Sequence, residues 1–231
     1  MSISLVYPDG GEKSAPRSSV AAIVSAEADH RIANSLSIIA GLVRMNRSTV
    51  VARDAALSVA DACALLDEVA DRIAAVGQLH RMMARTVRGG SLDLGDYLHD
   101  VAEGLSATLS FAGRVAPMRC LLCACSIGSE RALWIGLVVG EAITNAIKYA
   151  HPSGVPARIS VGCQRLPGGG VAVDVRDDGI GFPEGFDPHR DGGLGLRLVR
   201  TLAHRLRGRV EFSDDGLGLR LRLIAPEHAT N

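Results

Sequence analysis

Net charge is what this sequence lacks most: Lys+Arg and Asp+Glu both number 25, so the formal charge is zero. No global field draws the chain to nucleic acid or to an anionic membrane surface, and any electrostatic function has to be local. Long apolar runs are missing as well. The best, Ala132 to Gly140, stops at Glu141, well short of the roughly 18 residues that a membrane-spanning helix needs. The first residues, Met-Ser-Ile-Ser-Leu-Val-Tyr-Pro-Asp-Gly-Gly, offer neither a basic segment nor an apolar stretch of signal-peptide length. A cytoplasmic protein without membrane insertion is expected. Cysteines number five, an odd count that argues for reduced thiols over a disulfide framework. Cys120, Cys123 and Cys125 suggest a metal cluster by their spacing. In an extended strand, however, Cys123 and Cys125 share one face and Cys120 takes the other, and no second Cys or His pair at ligand spacing answers them. They are read as small buried hydrophobes.

What is present is enough apolar material, 47% of 231 residues, for one medium core or for a core plus a helical appendage that finds its partner elsewhere. Residues 1–17, with Pro8, Gly10, Gly11 and Pro16, show no periodicity and read as a flexible arm. From Ser18 the pattern is helical: Val20, Ile23, Val24, Leu36, Ile39 and Val43 recur at helical steps. Leu66, Val69, Ile73, Val76, His80 and Met83 repeat the habit on a second helix. A hairpin over residues 18–88 cannot bury both stripes alone, so a homodimer closing a four-helix bundle is expected.

After the Gly89-Gly90 hinge, helices and strands alternate over residues 91–226. Asp93 can cap a helix to about Ser110, Arg119–Ser126 reads as a strand, and Ser129 can cap a long helix from Glu130 to about Ala150. Strands over 157–165 and 171–176 flank a Pro167-Gly168-Gly169-Gly170 turn. A glycine-rich loop over 179–193 leads into a helix from Leu194 to Arg207, and strands near 209–213 and 218–224 follow. The order implies helices layered on one face of a mostly antiparallel sheet.

Three local patterns carry chemistry. Glu141, Asn145 and Lys148 stand at i, i+4 and i+7, one polar row on an otherwise apolar helix. Asn145 can offer an oxygen to Mg²⁺, Lys148 can meet phosphate, and Glu141 can orient or deprotonate a group attacking phosphorus. Asp177-Asp178-Gly179-Ile180-Gly181 follows a strand, where a carboxylate can accept from the adenine amino group while glycines let backbone approach. Gly192-Gly193-Leu194-Gly195-Leu196 opens a helix, whose free amides suit a polyphosphate. Singly these are a solvated helix face, a turn and a cap.

Together, in this order and spacing, they resemble the N, G1 and G2 boxes of the GHKL ATPases, over residues 91–225. The resemblance implies a Bergerat fold that binds ATP and Mg²⁺, with Asn145 on the metal, Asp177 on adenine, and Gly179, Gly181, Gly193 and Gly195 shaping a lid. Where the family usually has a threonine before the last strand, this chain has Gly216-Leu217-Gly218-Leu219.

Upstream, Glu27-Ala-Asp29-His30-Arg31-Ile-Ala-Asn34-Ser35-Leu36 resembles the H box of the H-R-x-x-N branch of sensor histidine kinases, the HWE group and its sister subfamily. Arg72-Ile-Ala-Ala-Val-Gly-Gln-Leu-His80 and Leu92-Asp-Leu-Gly-Asp-Tyr-Leu also look like that branch. A neutral imidazole is nucleophilic near pH 7 and its phosphoramidate keeps a high transfer potential, which suits His30 to accept phosphate. Asp29 or Glu27 could hold its tautomer, and Asn34, one turn on, could orient a water for dephosphorylation. His80 and His99 are rival acceptors with no Asn one turn later.

The expectation is an α+β protein: an N-terminal helical hairpin, paired as a dimeric four-helix bundle, followed by a Bergerat/GHKL α/β sandwich. It autophosphorylates His30 and passes the phosphate to an Asp on a response regulator receiver domain. Its input comes from a separate sensor protein, from the short arm, or not at all. The runner-up is a phosphotransfer or regulator-binding module with a vestigial ATPase-like domain. A third reading, an anti-sigma serine kinase, has no use for a hairpin bearing His30.

Overall fold

The structure is a computed structural model that describes residues 36–37, 39–41, 43–44, 58–87, 90–110, 118–151, 155–214 and 218–227. The described part of the first helical stretch, within 36–44, is helical. Helix α1 spans Val59–Thr86 and starts at a reciprocal cap. The Asp61 amide donates to Ser58 Oγ (3.1 Å) while the Ser58 amide donates to the Asp61 carboxylate (3.3 Å), satisfying two N-terminal donors at once.

The apolar stripe read along α1 divides between two faces. Val76, Leu79 and Met83 are buried in the main core, whereas Leu66 and Ile73 stay 69% and 37% exposed. Steps of three and four residues, followed strictly, drift around the helix, so a single stripe from Leu66 to Met83 merges two contact surfaces.

Strand β1 (Ser91–Asp93) leads directly into α2 (Leu94–Ser110). Asp93 caps α2 as expected, its Oδ1 accepting from the Asp96 amide at 3.0 Å. Its other oxygen accepts from the Cys125 amide at 2.8 Å, and the Leu94 amide donates to the Cys125 carbonyl, also at 2.8 Å. These two bonds correct the expected strand over Arg119–Ser126. Both polar groups of Cys125 are claimed by the start of α2, so the chain leaves one sheet and joins another. β2 (Arg119–Leu121) runs parallel to β4 (Ser160–Arg165), and β3 (Ser126–Gly128) pairs antiparallel with β1.

Helix α3 (Ser129–Tyr149) follows. Its N-cap is Gly128, not Ser129, and it has no side-chain cap; the Ser129 amide is satisfied instead by the Gly90 carbonyl at 3.0 Å. Strands β4 (Ser160–Arg165) and β5 (Val171–Arg176) form the expected hairpin, closed by Leu166 and Gly170, with Gly168, Gly169 and Gly170 all at positive φ. Helix α4 (Leu194–Arg205) and strands β6 (Arg209–Asp214) and β7 (Leu219–Ala225) complete the fold. The larger sheet has order β2-β4-β5-β7-β6, antiparallel apart from the β2–β4 pair. Alternate residues Val161 and Cys163, Val171, Val173 and Val175, and Leu221, Leu223 and Ala225 point into one core beneath the helices. Among the described residues no helix is long and apolar enough to cross a membrane.

The first half of α3 is buried almost all round: Ala132, Leu133, Ile135, Leu137, Val138 and Val139 are core residues. Gly136 lets α2 approach, since a Cβ there would stand 2.5 Å from Tyr97 Oη, and Tyr97 is fully buried. Gly136→Ala should therefore lower stability by about 1–3 kcal/mol through overpacking. The Tyr97 hydroxyl has no hydrogen-bond partner among the described residues, so adding Tyr97→Phe should recover part of that loss. Urea titration of both variants measures it; an unchanged midpoint for Gly136→Ala would show that Tyr97 simply moves aside.

Candidate functional site

The second half of α3 changes character, because one face of it leaves the core. Glu141 is largely enclosed, Asn145 is half-buried and Lys148 is exposed, while Ala142, Ile143 and Ala146 between them stay buried. Three loops gather at this face: the segment after β5, the turn before α4 and the entry to β7.

Asp177 directly follows β5 and is buried. Its amide donates to the Leu219 carbonyl (3.0 Å), and its Oδ1 accepts from the amides of Gly179 (2.9 Å) and Leu219 (3.2 Å). One carboxylate oxygen is thus fixed by two backbone donors, which orients the other toward a further donor, as an amino-bearing base requires. Gly218, at φ +126°, explains the departure at the start of the last strand. A Cβ there would collide with the Asp177 carbonyl, so the loop closes on Asp177 through backbone and the Leu219 amide supplies the contact.

Gly179 crosses the end of α3 so closely that a Cβ would strike Ala150, and the Ile180 amide donates to the Ala150 carbonyl at 3.0 Å. A side chain on Gly181 would meet the Asp214 carboxylate. Asp178, beside the buried Asp177, has a structural role: it accepts from the Arg158 amide and contacts His151 Nε2, both at 2.9 Å, tying the end of α3 to the approach of β4.

The loop from 181 to 193 is ordered by contacts that sequence reasoning missed. Phe182 stacks on Phe186 with centroids 4.9 Å apart, and Phe212 of β6 meets Phe182 edge-on at 5.7 Å. From α4, Arg200 Nη1 donates to the carbonyls of Pro188 (2.7 Å) and Asp191 (2.9 Å). The spacing of Phe182 and Phe186, four apart around Pro183, is the available signal, but their partner Phe212 lies beyond α4 in the chain.

Gly193 caps α4 by position with no side-chain hydrogen bond, and among the described residues nothing stands within 4 Å of where its Cβ would be. At Gly195, a Cβ would collide with Glu141 Oε2 and lie 3.2 Å from Arg72 Nη2. The structure therefore brings Glu141 to the glycine-rich start of α4. It also brings Arg72 of α1, which sequence reasoning singled out only as part of a motif. Arg72 clasps Glu141 with two prongs, Nε to Oε1 at 3.0 Å and Nη2 to Oε2 at 3.2 Å. Burial pushes the Glu141 carboxyl above the usual carboxylate range, while Arg72 and, more weakly, Lys148 act against that shift.

These residues fit a nucleotide with its metal. A strand-end carboxylate presents one oxygen engaged by backbone and, among the described residues, one left for a further donor, a glycine-lined helix start leaves room for phosphate, and the side-chain oxygen of Asn145 is a hard donor suited to Mg²⁺. His30 and Asn34 lie outside the described residues. Of the rival acceptors, His80 Nε2 is enclosed without a partner among the described residues, and His99 sits 3.2 Å from Glu103.

A separate open cavity of about 760 Å³ lies by α2 and β2, lined by Asp93, Asp96, His99, Glu103, Cys120 and Cys123 among others. It shares no residue with the cluster around Glu141, and among the described residues no three His, Cys, Asp or Glu side chains are placed to hold a metal ion. Cys123 and Cys163 lie with their sulfurs 3.7 Å apart as free thiols, and burial together with that contact pushes Cys163 up to about 12.

Residues 130–229 match the family described as histidine kinase-, DNA gyrase B- and HSP90-like ATPase, and residues 27–109 match the family described as histidine kinase. The chain is 27% identical over 206 residues, 87% of its length, to blue-light-activated histidine kinase 2 of Erythrobacter litoralis, of which it covers 56%. It is 26% identical over 183 residues, 76% of its length, to the sensor histidine kinase PdtaS of Mycobacterium tuberculosis, of which it covers 33%. The chain thus spans between a third and just over a half of these curated relatives. A solved blue-light-activated histidine kinase of Erythrobacter litoralis superimposes with a TM-score of 0.66 at 28% identity, covering 87% of this chain and 58% of that one. The histidine kinase AdeS of Acinetobacter baumannii shares the fold at a TM-score of 0.51 and 16% identity, over 87% and 98% of the two chains. With both family matches in chain order, an ATP-binding domain of GHKL type behind helices of the histidine kinase type, this chain belongs to the histidine kinases, in their HWE-related branch.

Proposed function

We propose that the chain phosphorylates its own His30 from ATP and passes the phosphoryl group to an Asp on the receiver domain of a response regulator. The observation that most supports this reading is the meeting of Arg72 of α1 with Glu141 of α3 and Gly195 at the start of α4. His30 falls within the residues that match the histidine kinase family.

ATP with Mg²⁺ supplies a transferable γ-phosphoryl group. Asp177 would hold the base, Gly179, Gly181, Gly193 and Gly195 would admit the phosphates, Asn145 would bind the metal ion, and Lys148 would meet phosphate charge. An imidazole nitrogen of His30 forms a bond to phosphorus as the bond to the bridging oxygen breaks and ADP leaves, and Glu141 takes up the imidazole proton. Asn34 would orient water for dephosphorylation of the regulator. We assign residues 1–17 to an arm, 18–88 to the dimerising phosphotransfer hairpin and 91–226 to the catalytic domain. The exposed Leu66 and Ile73 suit a homodimer seam, and a separate sensor protein would supply input to a cytoplasmic kinase with no nucleic-acid partner.

His30→Gln should bind ATP as the wild type does yet acquire no acid-labile phosphate; labelling at the wild-type level would move the acceptor to His80 or His99. Asp177→Asn should weaken nucleotide binding, since an amide at that place offers one acceptor fewer to the two backbone donors and the base. A loss of about 1–3 kcal/mol, roughly five- to a hundredfold in Kd, is expected by titration with a fluorescent ATP analogue. Asn145→Ala should abolish labelling while keeping the oligomeric state, measured by light scattering. If wild type and Asn145→Ala both remain unlabelled with Mg²⁺ present, the chain is the phosphotransfer module with a vestigial pocket.

A further inference from the structure

We infer that Arg72 is the positioning residue for Glu141, contributed to the nucleotide site by the hairpin helix α1, so that the base proposed for phosphoryl transfer is complete only when α1 is docked on the catalytic domain. The inference rests on the reading of Glu141 as that base.

Four observations support it. The contact is two-pronged, with the planar guanidinium meeting both carboxylate oxygens, a geometry that fixes orientation as well as distance. Both side chains are nearly enclosed, at 11% and 12% exposure, so neither is an idle surface charge. Arg72 is itself held from behind: its Nη1 lies 2.8 Å from Glu68 Oε1 and donates to the Glu68 carbonyl at 3.3 Å, one turn back on α1. Finally, the pair packs against the backbone at Gly195, where a side chain would drive Glu141 away from the start of α4.

Anchoring α1 does not require this arrangement. Val76, Leu79 and Met83 already bury the following two turns in the core, and a buried ion pair is a poor way to gain stability compared with apolar side chains of the same size. What Arg72 does that a leucine could not is to orient a carboxylate and offset its desolvation. Each oxygen of Glu141 keeps a lone pair beyond those engaged by the guanidinium, so the clasp leaves the carboxylate able to accept a proton. The groups acting on Glu141 are Arg72 and Glu68 from α1 and Lys148 from its own helix.

The test uses the full chain. Arg72→Ala should lower the initial rate of acid-labile phosphate incorporation by about tenfold to a hundredfold, the scale for a misplaced catalytic group. Affinity and stoichiometry for a fluorescent ATP analogue should stay within about twofold, because Arg72 is not part of the proposed nucleotide contacts. Guanidinium ion at millimolar concentration should restore part of the rate to Arg72→Ala and none to Glu141→Gln, and Arg72→Lys, which keeps the charge and loses the fork, should fall between. An unchanged rate in Arg72→Ala, or a lowered rate that neither guanidinium nor lysine raises, overturns the inference. If Arg72→Ala does not fold, Arg72→Lys and Arg72→Gln carry the comparison, and equal rates for those two overturn it. Failure of the underlying reading looks different: Glu141→Gln would label at the wild-type rate, or the wild type would take up no acid-labile phosphate.

Discussion

The burial of α3 is the constraint on which the other elements depend. Its first three turns are apolar on nearly every side, so α1, α2, α4 and the sheet can all rest on it, and α2 comes close because position 136 carries no side chain. A helix enclosed at one end and partly uncovered at the other presents its polar row at a fixed depth. Glu141 and Asn145 therefore stand at the edge of a rigid core, with the loops after β5 and before α4 arranged around them. The loop after β5 is fixed by close backbone approach at Gly179 and Gly218, while the loop before α4 is held by the side chains of Phe182, Phe186, Phe212 and Arg200.

Patterns that depend on a single element are legible in the sequence. The polar row of α3, the β4–β5 hairpin with its glycines, and Asp177 at a strand end all follow from periodicity and turn chemistry acting over a few residues. The misreadings share a physical origin: a distant group outbids the local preference. Asp93 takes the amide of Cys125 from 32 residues away and ends β2 early. Gly90 supplies the carbonyl that accepts from the Ser129 amide, so Ser129 enters the helix and Gly128 stands at the N-cap. Phe212 organises the loop at 181–193 from beyond a helix.

Arg72 shows the same limit for the site. A lone arginine on an amphipathic helix carries no sign of its partner, because Glu141 lies 69 residues away and the two helices meet only in the folded chain. The spacing of Arg72, Val76, Leu79 and Met83 is a helical face, and its meaning is visible only once the core that receives it exists. Two contact surfaces on one helix, each with its own apolar residues, look in sequence like a single irregular stripe.

Helix α1 has 28 residues, a rod of about 40 Å at 1.5 Å per residue. Its C-terminal half is embedded in the core while its N-terminal half, from the Ser58–Asp61 cap to Ile73, carries exposed apolar residues. Mechanically this is a lever clamped at one end, with Arg72 just outside the clamp. A sideways push of several ångströms at the Ser58 end arrives at the clamp as a rotation of roughly ten degrees and a displacement well under that size. Such an arm would convert a large, soft movement at its Ser58 end into a small and forceful one at the contact between Arg72 and Glu141.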